Sequence, residues 1–494
     1  MQDAHDLGLV IAAGVSIIVL ETYDEPRAID LLMRVARQRD TALHQWTITD
    51  GLQRAGFGLQ VEEPNKYAEP GELLNQLRKR AEPGIYALCD FHPWLGADNP
   101  TEVRQLKDIA LRNDNGAVTL VLVSHRIKLP DELSRLSARF EVSLPNKTQI
   151  MRVVRKEAKN WAKRNGNARV KTDNETLEQL VSGLRGLTHG EVRRLARSAI
   201  VDDGAITDTD LPEINQAKFR LMDMEGVLNF DYSGEALSNV GGMENLKNWL
   251  EKRKAVFTGA VSGLDAPKGI LLLGVQGGGK SLAAKAIAGA WSVPLLKLDM
   301  GALYNKFYGE TERNLRESLR LAEKMSPCVL WLDEIEKGLG GDSEESGTAG
   351  RVLGTLLTWM AERKDGVFMV ATSNDISRLP PELVRKGRFD ELFFVDLPDA
   401  DARHKIFSIH LTSRELDPEQ LSLSELVAAS EGFSGAEIEQ VIVSSLYSAL
   451  ARSAEVTTEL LLEEIVSTSP LSVVMDERIR QLRDWAQQRN VVMA

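Results

Sequence analysis

Short apolar runs rich in β-branched residues alternate along the chain with stretches of helical periodicity. This pattern predicts mostly parallel sheets covered by helices. In the second half the runs fall near Gly269–Gly274, Leu295–Leu298, Val329–Asp333, Val367–Thr372 and Leu392–Val395. Residues 401–466 hold no comparable run and are expected to be helical. In the first half Val15–Leu20, Gly84–Asp90 and Val118–Ser124 read as strands. The segment 201–235 mixes Asp, Thr, Pro and Gly and reads as a linker between modules.

The two halves echo each other. Gly84–Asp90 parallels Cys328–Asp333, each an apolar strand closing on an aspartate. Val118–Ser124 parallels Val367–Ser373, and Asp131–Arg135 parallels Pro381–Arg385. Val142–Pro145 parallels Val395–Pro398, and Gly186–Glu191 parallels Gly432–Glu437. Five matches in one order, at offsets between 243 and 253, point to two copies of one unit: an α/β core followed by a helical bundle.

Composition narrows the class. The chain has 494 residues, 43% hydrophobic and 27% charged, which suits a multidomain globular protein. Two cysteines, Cys89 and Cys328, exclude a disulfide scaffold and a multi-cysteine zinc site. The longest apolar run, Leu7–Leu20, is 14 residues, against the roughly 20 that a membrane helix needs. No basic cluster precedes it, so it does not read as a signal peptide. A cytoplasmic protein without a membrane segment is expected. The net charge of −12 argues against non-specific nucleic-acid binding. Residues 151–200 run against that balance, with 12 Lys and Arg against five Asp and Glu, including Arg152, Arg155, Lys156, Lys159, Lys163 and Arg164. They form either a solvated helical face or a docking surface for nucleic acid or an acidic partner.

The chemistry concentrates in the second half. Gly274-Val-Gln-Gly-Gly-Gly-Lys280-Ser281 fits G-x-x-x-x-G-K-[ST] between an apolar run and a helix-like stretch. Glycines let the backbone N–H groups of Gly277, Gly278, Gly279, Lys280, Ser281 and Leu282 converge on phosphate oxygens, aided by the helix N-terminus. Lys280 neutralises the β- and γ-phosphates, and the Ser281 hydroxyl can ligate Mg²⁺. Val329–Asp333 delivers Asp333 to that metal, and Glu334 beside it can polarise a water for attack on the γ-phosphate. Asn374, closing the next strand, either orients that water or is a turn asparagine.

These motifs, in order from Asn239 to about Pro470, resemble the AAA-family ATPase module. The resemblance implies ATP and Mg²⁺ as cofactors and ATP hydrolysis as the activity. Glu382-Leu-Val-Arg385-Lys-Gly-Arg388-Phe-Asp390 resembles the family's arginine-finger segment, which implies that Arg385 and Arg388 reach a neighbouring subunit's nucleotide. An intramolecular salt bridge is the alternative use of these arginines. Acting in trans they would require an oligomer, and the family implies a homo-hexameric ring. Val240 and Gly241 match the adenine-contacting segment. His410 matches the lid histidine that meets adenine, or is a plain helix-face histidine. Ser434-Gly-Ala436 resembles lids that lack a second-sensor arginine. Lys306-Phe307-Tyr308-Gly309-Glu310 resembles the pore loop, with Phe307 and Tyr308 as substrate-gripping candidates; a hydrophobic contact at a helix cap is the alternative for Phe307.

The first copy lacks this chemistry. Val15–Leu20 leads into Glu21, Asp24 and Glu25, with no glycine loop or lysine, and Phe91 follows Asp90 where an acid would be needed. The whole arrangement is similar to the AAA subfamily named for hypothetical chloroplast open reading frame forty-six. It carries a degenerate first half, Ser346–Val352, Leu356–Met360 and the tail Ser472–Arg489. One departure from many AAA loops is Gly278 in place of threonine, expected to loosen the loop.

The expected fold is therefore α/β: tandem P-loop AAA-like modules, each a parallel sheet with a helical lid, the first degenerate. The expected divisions are a degenerate core at 1–150, a lid-like region and linker at 151–225, the ATPase core at 226–398, its lid at 399–470 and a helical tail at 471–494. The expected function is Mg²⁺-dependent ATP hydrolysis coupled to remodelling of a protein substrate. A nucleic-acid-associated ATPase anchored by 151–200, or an ATP-gated scaffold holding a partner on its first module, are the alternatives.

Overall fold

The computed structural model describes residues 2–55, 65–113, 116–221, 228–231, 236–259, 261, 263–304, 311–339, 346–363, 365–385 and 387–494. The chain folds as two compact units, Met1–Ala168 with Leu187–Ser198, and Arg169–Gly186 with Ala199–Ala494.

Among the described residues the first unit has six strands: β1 (Ile17–Glu21), β2 (Ala42–Thr47), β3 (Gly51–Ala55), β4 (Gly84–Cys89), β5 (Val118–Ser124) and β6 (Ser137–Phe140). Among those of the second there are seven: β7 (Leu228–Asp231), β8 (Gly269–Gly274), β9 (Leu295–Asp299), β10 (Cys328–Asp333), β11 (Val367–Ser373), β12 (Glu391–Val395) and β13 (Val492–Met493). The orders are β3-β2-β4-β5-β1-β6 and β7-β9-β10-β11-β8-β12-β13. Apart from the added β13 they are the same order, and among the described strands of each sheet only the one outside β2 or β9 is antiparallel. The repeat read from the sequence is thus a repeat of topology. That antiparallel edge has two origins, however: β3 returns from β2 as a hairpin, whereas β7 comes from the chain ahead of β8.

Strand register corrects one pairing within the repeat. In the first unit Cys89 lies opposite Val123, the residue before the last of β5. In the second, Leu332 lies opposite Ala371, which sets Asp333 against Thr372, the residue before the last of β11. Cys89 therefore occupies the place of Asp333, and Asp90 the place of Glu334, rather than Asp90 matching Asp333. The backbone agrees, since Asp90 and Glu334 both turn left-handed, at φ 52° and 46°.

The central strands β8, β10 and β11 are apolar up to their carboxyl ends, as strands covered by helices on both faces are. In β8, β10 and β11 the residues Leu271, Leu273, Leu330, Leu332 and Met369 enter one core. Their neighbours Ile270, Leu272, Val329, Trp331, Phe368 and Val370 enter the opposite one. A slip of one residue would exchange the two faces along a strand, so register is strongly held.

The run Leu7–Leu20 resolves into the end of a helix, Gln2–Ala12, and most of β1. Among the described residues no helix is long and apolar enough to cross a membrane. The segment 201–235, read as a linker, instead contains the helix Asp210–Leu221 and β7. Leu211 and Ile214 of that helix are buried, and Phe219 stacks on Phe230 at 5.2 Å. The tail, expected to be helical, holds the helix Asp476–Gln488 and then β13, which adds to the sheet beside β12. Arg483 of that helix grips Asp396 through Nε (2.8 Å) and Nη2 (2.9 Å), a bidentate pair that fixes the tail on the core. Four helices, Ala400–Thr412, Leu423–Ala429, Gly435–Arg452 and Thr458–Ser467, form a separate bundle around Phe407, Leu426, Ile438 and Leu461.

Lys218, on the helix Asp210–Leu221, is fully buried and donates to the Gly183 carbonyl at 2.9 Å. Burial pushes its ammonium down from 10.5 to about 7. Between those values the unfolded chain holds a proton that the folded chain lacks, so stability rises with pH through that window and is flat below it. The wild type should therefore gain on Lys218→Met by about 1.4 kcal/mol per pH unit between about pH 8 and 10, read by denaturant unfolding. A difference that does not change with pH would show that Lys218 is charged in the fold.

Candidate functional site

The glycine loop begins where the last residue of β8, Gly274, pairs closely with Val395 at the end of the neighbouring β12. Gly274 has φ 144°, and a Cβ there would lie 1.9 Å from the Val395 carbonyl oxygen. The loop ends at Gly279, left-handed at φ 91°, which is the N-cap of the helix Lys280–Trp291 and brings no side chain to cap it. The first-turn N–H groups of that helix have no intrahelical acceptor and remain available to an anion. Gly278 was expected to loosen the loop. Here its N–H donates to the Val275 carbonyl at 3.2 Å. A Cβ at that position would meet this carbonyl oxygen at 3.1 Å and Val395 Cγ1 at 3.2 Å, so the glycine sits in a close-packed turn.

Lys280 is buried, and its ammonium donates to the carbonyls of Gly274 (2.9 Å) and Val275 (2.7 Å). Burial pushes it down to about 8, while the carboxylates of Glu336, Glu334 and Asp333 act in the opposite direction. A polyphosphate would supply the anionic partner that two carbonyl dipoles only approximate.

The acids sit where β10 ends beside β11. The Thr372 hydroxyl donates to Asp333 Oδ1 at 2.9 Å and accepts from the Glu334 N–H at 3.1 Å, so one buried group sets both acids. Asn374 Nδ2 donates to Glu334 Oε1 at 2.9 Å, and the Asn374 N–H donates to Glu336 Oε1 at 2.9 Å. Glu336 is buried, and its Oε2 finds no hydrogen-bond partner among the described residues. Lys297 on β9 pairs with Asp333 Oδ2 at 2.9 Å, its ammonium 4.3 Å from the Trp331 ring centre. Lys337 pairs with Glu334.

Asp333, Glu334, Thr372 and Asn374 share one cleft of about 1170 Å³ with Val240, Gly241, Gly277 to Leu282 and His410. All the expected nucleotide and metal residues thus line a single space. His410 is half-buried on the lid helix Ala400–Thr412, near Arg414 Nη1 (3.3 Å) and Glu439 (3.8 Å); burial lowers its pKa. Gly435 and Ala436 line the cleft too, behind Ser434, which caps its helix by a box with Glu437. Met493 and Ala494 of the tail reach the same cleft.

Arg385 and Arg388 are not brought there. Arg385 is exposed, and Arg388 Nη1 donates to the Leu357 carbonyl at 2.7 Å. Neither makes a salt bridge among the described residues. Phe307 and Tyr308 lie outside the described residues. The basic residues Arg152, Arg155, Lys156, Lys159, Lys163 and Arg164 are exposed on the helix Lys147–Arg164, while buried Glu157 binds Arg197 at 3.1 Å.

The model for the "ATPase family associated with various cellular activities (AAA)" matches residues 270–397, and the AAA+ lid domain matches 420–464. Residues 3–142 and 148–225 match the N-terminal and second domains of SpoVK-like AAA ATPases. The AAA domain-containing protein ycf46 of Guillardia theta is 35% identical over all of this chain and 97% of its own length. The chain belongs to the ycf46 family of AAA ATPases. The ycf46 protein of Pyropia yezoensis is 33% identical over 98% of both chains. The proteasome-activating nucleotidase of Aeropyrum pernix is 36% identical over 40% of this chain and 49% of its own length.

In this ycf46-family chain the first unit fills the corresponding helix end with its own acid. Asp24 caps the helix Glu25–Gln38 by accepting the Arg27 N–H, and its other oxygen accepts the Gly190 N–H at 3.0 Å. The dipole end left open for an anion at Gly279 is here already satisfied by a carboxylate.

Three positioning residues were absent from the sequence reading: Lys297, Thr372 and Glu336. Lys297 left one signal, a lysine inside an otherwise apolar strand. Thr372→Val keeps the shape of the side chain and removes both hydrogen bonds. It should lower ATP turnover about tenfold by letting the two acids drift, leave nucleotide affinity within about twofold, and be rescued by Thr372→Ser. Steady-state kinetics with nucleotide titration would check this; unchanged turnover in the valine variant would refute it.

Proposed function

We propose that this chain hydrolyses ATP in the presence of Mg²⁺ as a homo-oligomeric ring and couples hydrolysis to remodelling of a protein substrate. The observation carrying the reading is the shared cleft, in which an uncapped glycine loop faces a pair of acids aligned by Thr372 and Asn374. Ser281 and Asp333 offer a hydroxyl and a carboxylate oxygen, a donor set suited to a hard divalent cation. Mg²⁺ held there supplies charge neutralisation on the β- and γ-phosphate oxygens.

Lys280 leaves its carbonyl partners for the phosphates, and the loop N–H groups orient the tail of the nucleotide. Glu334 takes a proton from the attacking water, and Asn374 fixes the carboxylate that does so. Val240, Gly241 and His410 enclose the base. Arg385, exposed and without a salt bridge among the described residues, and Arg388 beside it complete the site of a neighbouring subunit. Leaving the Leu357 carbonyl is the step this requires of Arg388. Phe307 and Tyr308, which lie outside the described residues, are the residues assigned to gripping the protein substrate.

Glu334→Gln should bind ATP with affinity near the wild type and hydrolyse it at least ~10²-fold more slowly. Calorimetry and phosphate release would measure the two properties. Equal turnover in the variant would overturn the catalytic reading.

The oligomeric reading has a separate test. Turnover per chain should rise with protein concentration, and a mixture of Arg388→Ala and Lys280→Ala chains should regain part of the activity that each lacks alone. A monomer with concentration-independent turnover would exclude fingers acting in trans.

A further inference from the structure

The first unit keeps the backbone of the acid turn but changes its chemistry. By strand register Asp90 stands where the second unit has Glu334. Counting on from these turns, His92 stands in the place of Glu336. His125, directly after β5, stands in the place of Asn374, directly after β11. Three residues that set up hydrolysis in the second unit are thus replaced together, by a carboxylate and two imidazoles.

The replacements converge. One ligand-capable atom from each of Asp90, His92 and His125 lies within 4.8 Å of the other two. The Ser124 hydroxyl sits among them, 2.7 Å from Asp90 Oδ1, 2.9 Å from His92 Nδ1 and 3.4 Å from His125 Nδ1. That hydroxyl donates to Asp90, and the two imidazole nitrogens meet the same oxygen as donor or acceptor according to their tautomers. The two rings meet edge to face, with centres 5.0 Å apart.

We propose that Asp90, His92 and His125 form a binding site for a divalent transition-metal ion of the zinc class. Imidazole nitrogen and carboxylate oxygen are the donors that zinc accepts, and they favour it over the hard ions that bind through oxygen alone. Ligand atoms around a tetrahedral zinc ion stand about 3.4 Å apart, from metal–ligand distances near 2.1 Å. His92 Nδ1 and Asp90 Oδ1 are already 3.9 Å apart, so small side-chain rotations close the set. Asp90 and His125 are exposed and His92 is half-exposed, so closure has only to exchange their hydrogen bonds to Ser124 and shift the His92, His125 and Tyr23 rings that meet there. Three protein ligands leave a fourth position for water or an anion. His92 and His125 also line a groove of about 760 Å³ that carries Arg126 and Lys128, which suits an anionic fourth ligand.

The site is tested on the full-length, metal-stripped protein, with Zn²⁺ added by calorimetry and Co²⁺ by visible absorption, in the absence of nucleotide and Mg²⁺. The expected result is one equivalent of Zn²⁺ per chain and Co²⁺ bands of nitrogen and oxygen ligation. His92→Ala and His125→Asn should each weaken Zn²⁺ binding by at least ~10-fold, since even outer-shell losses cost that much. His125→Asn installs the residue of the second unit and, on an exposed position, leaves the fold intact by circular dichroism. Lys280→Ala and Glu334→Gln should bind Zn²⁺ like the wild type, which separates this site from the nucleotide cleft. No stoichiometric binding, or binding unchanged in a His92→Ala, His125→Asn double variant, would overturn the proposal.

Discussion

The alignment of β8, β11 and β10 is the constraint on which the nucleotide cleft rests. These strands are buried on both faces, so each has one register that keeps its alternating side chains in the two cores. That register sets the carboxyl ends of β8 and β10 on either side of β11. The glycine loop follows one end, the two acids follow another, and Asn374 follows the strand between them. Nothing in the loop itself specifies this meeting; sheet packing does.

Once the strand ends are placed, a small set of polar groups finishes the geometry. Thr372 ties Asp333 to Glu334, Asn374 holds the Glu334 carboxylate, and Glu336 holds the backbone of Asn374. Each bond is partly shielded from water, and the three that end on a carboxylate are worth more there than at the surface. Lys297 adds a cation to Asp333. The acids are therefore held in place before any nucleotide arrives, and the left-handed backbone at Glu334 persists because these partners over-determine it.

The two units show how one topology carries two chemistries. Both keep the strand order and the left-handed turn after the equivalent strand. They differ in which atoms fill the helix end and the turn: an uncapped Gly279 against a self-capping Asp24, and Glu334 with Asn374 against Asp90 with His125. Fold is carried by apolar periodicity, while function is carried by a handful of polar replacements at strand ends. The repeat was legible in the chain because the apolar strands repeat. Its pairing at Asp90 was one residue out, because two strands ending in aspartate look alike until their neighbours fix the register.

The amino-acid sequence by itself determined the phosphate loop, the paired acids, the five central strands of the second unit and the doubling of the architecture. Those features are written in contiguous residues, where spacing and composition are the physics. Tertiary structure decided the roles of Thr372, Glu336 and Lys297, whose partners lie tens of residues away and meet them only through strand pairing. It also decided β7 and β13, edge strands of four and two residues, too short to leave an apolar signature. The same holds for Arg388, where the sequence supplies a cation but only the fold supplies the Leu357 carbonyl that receives it. Local chemistry is encoded along the chain, and mutual position is encoded by what the buried faces allow.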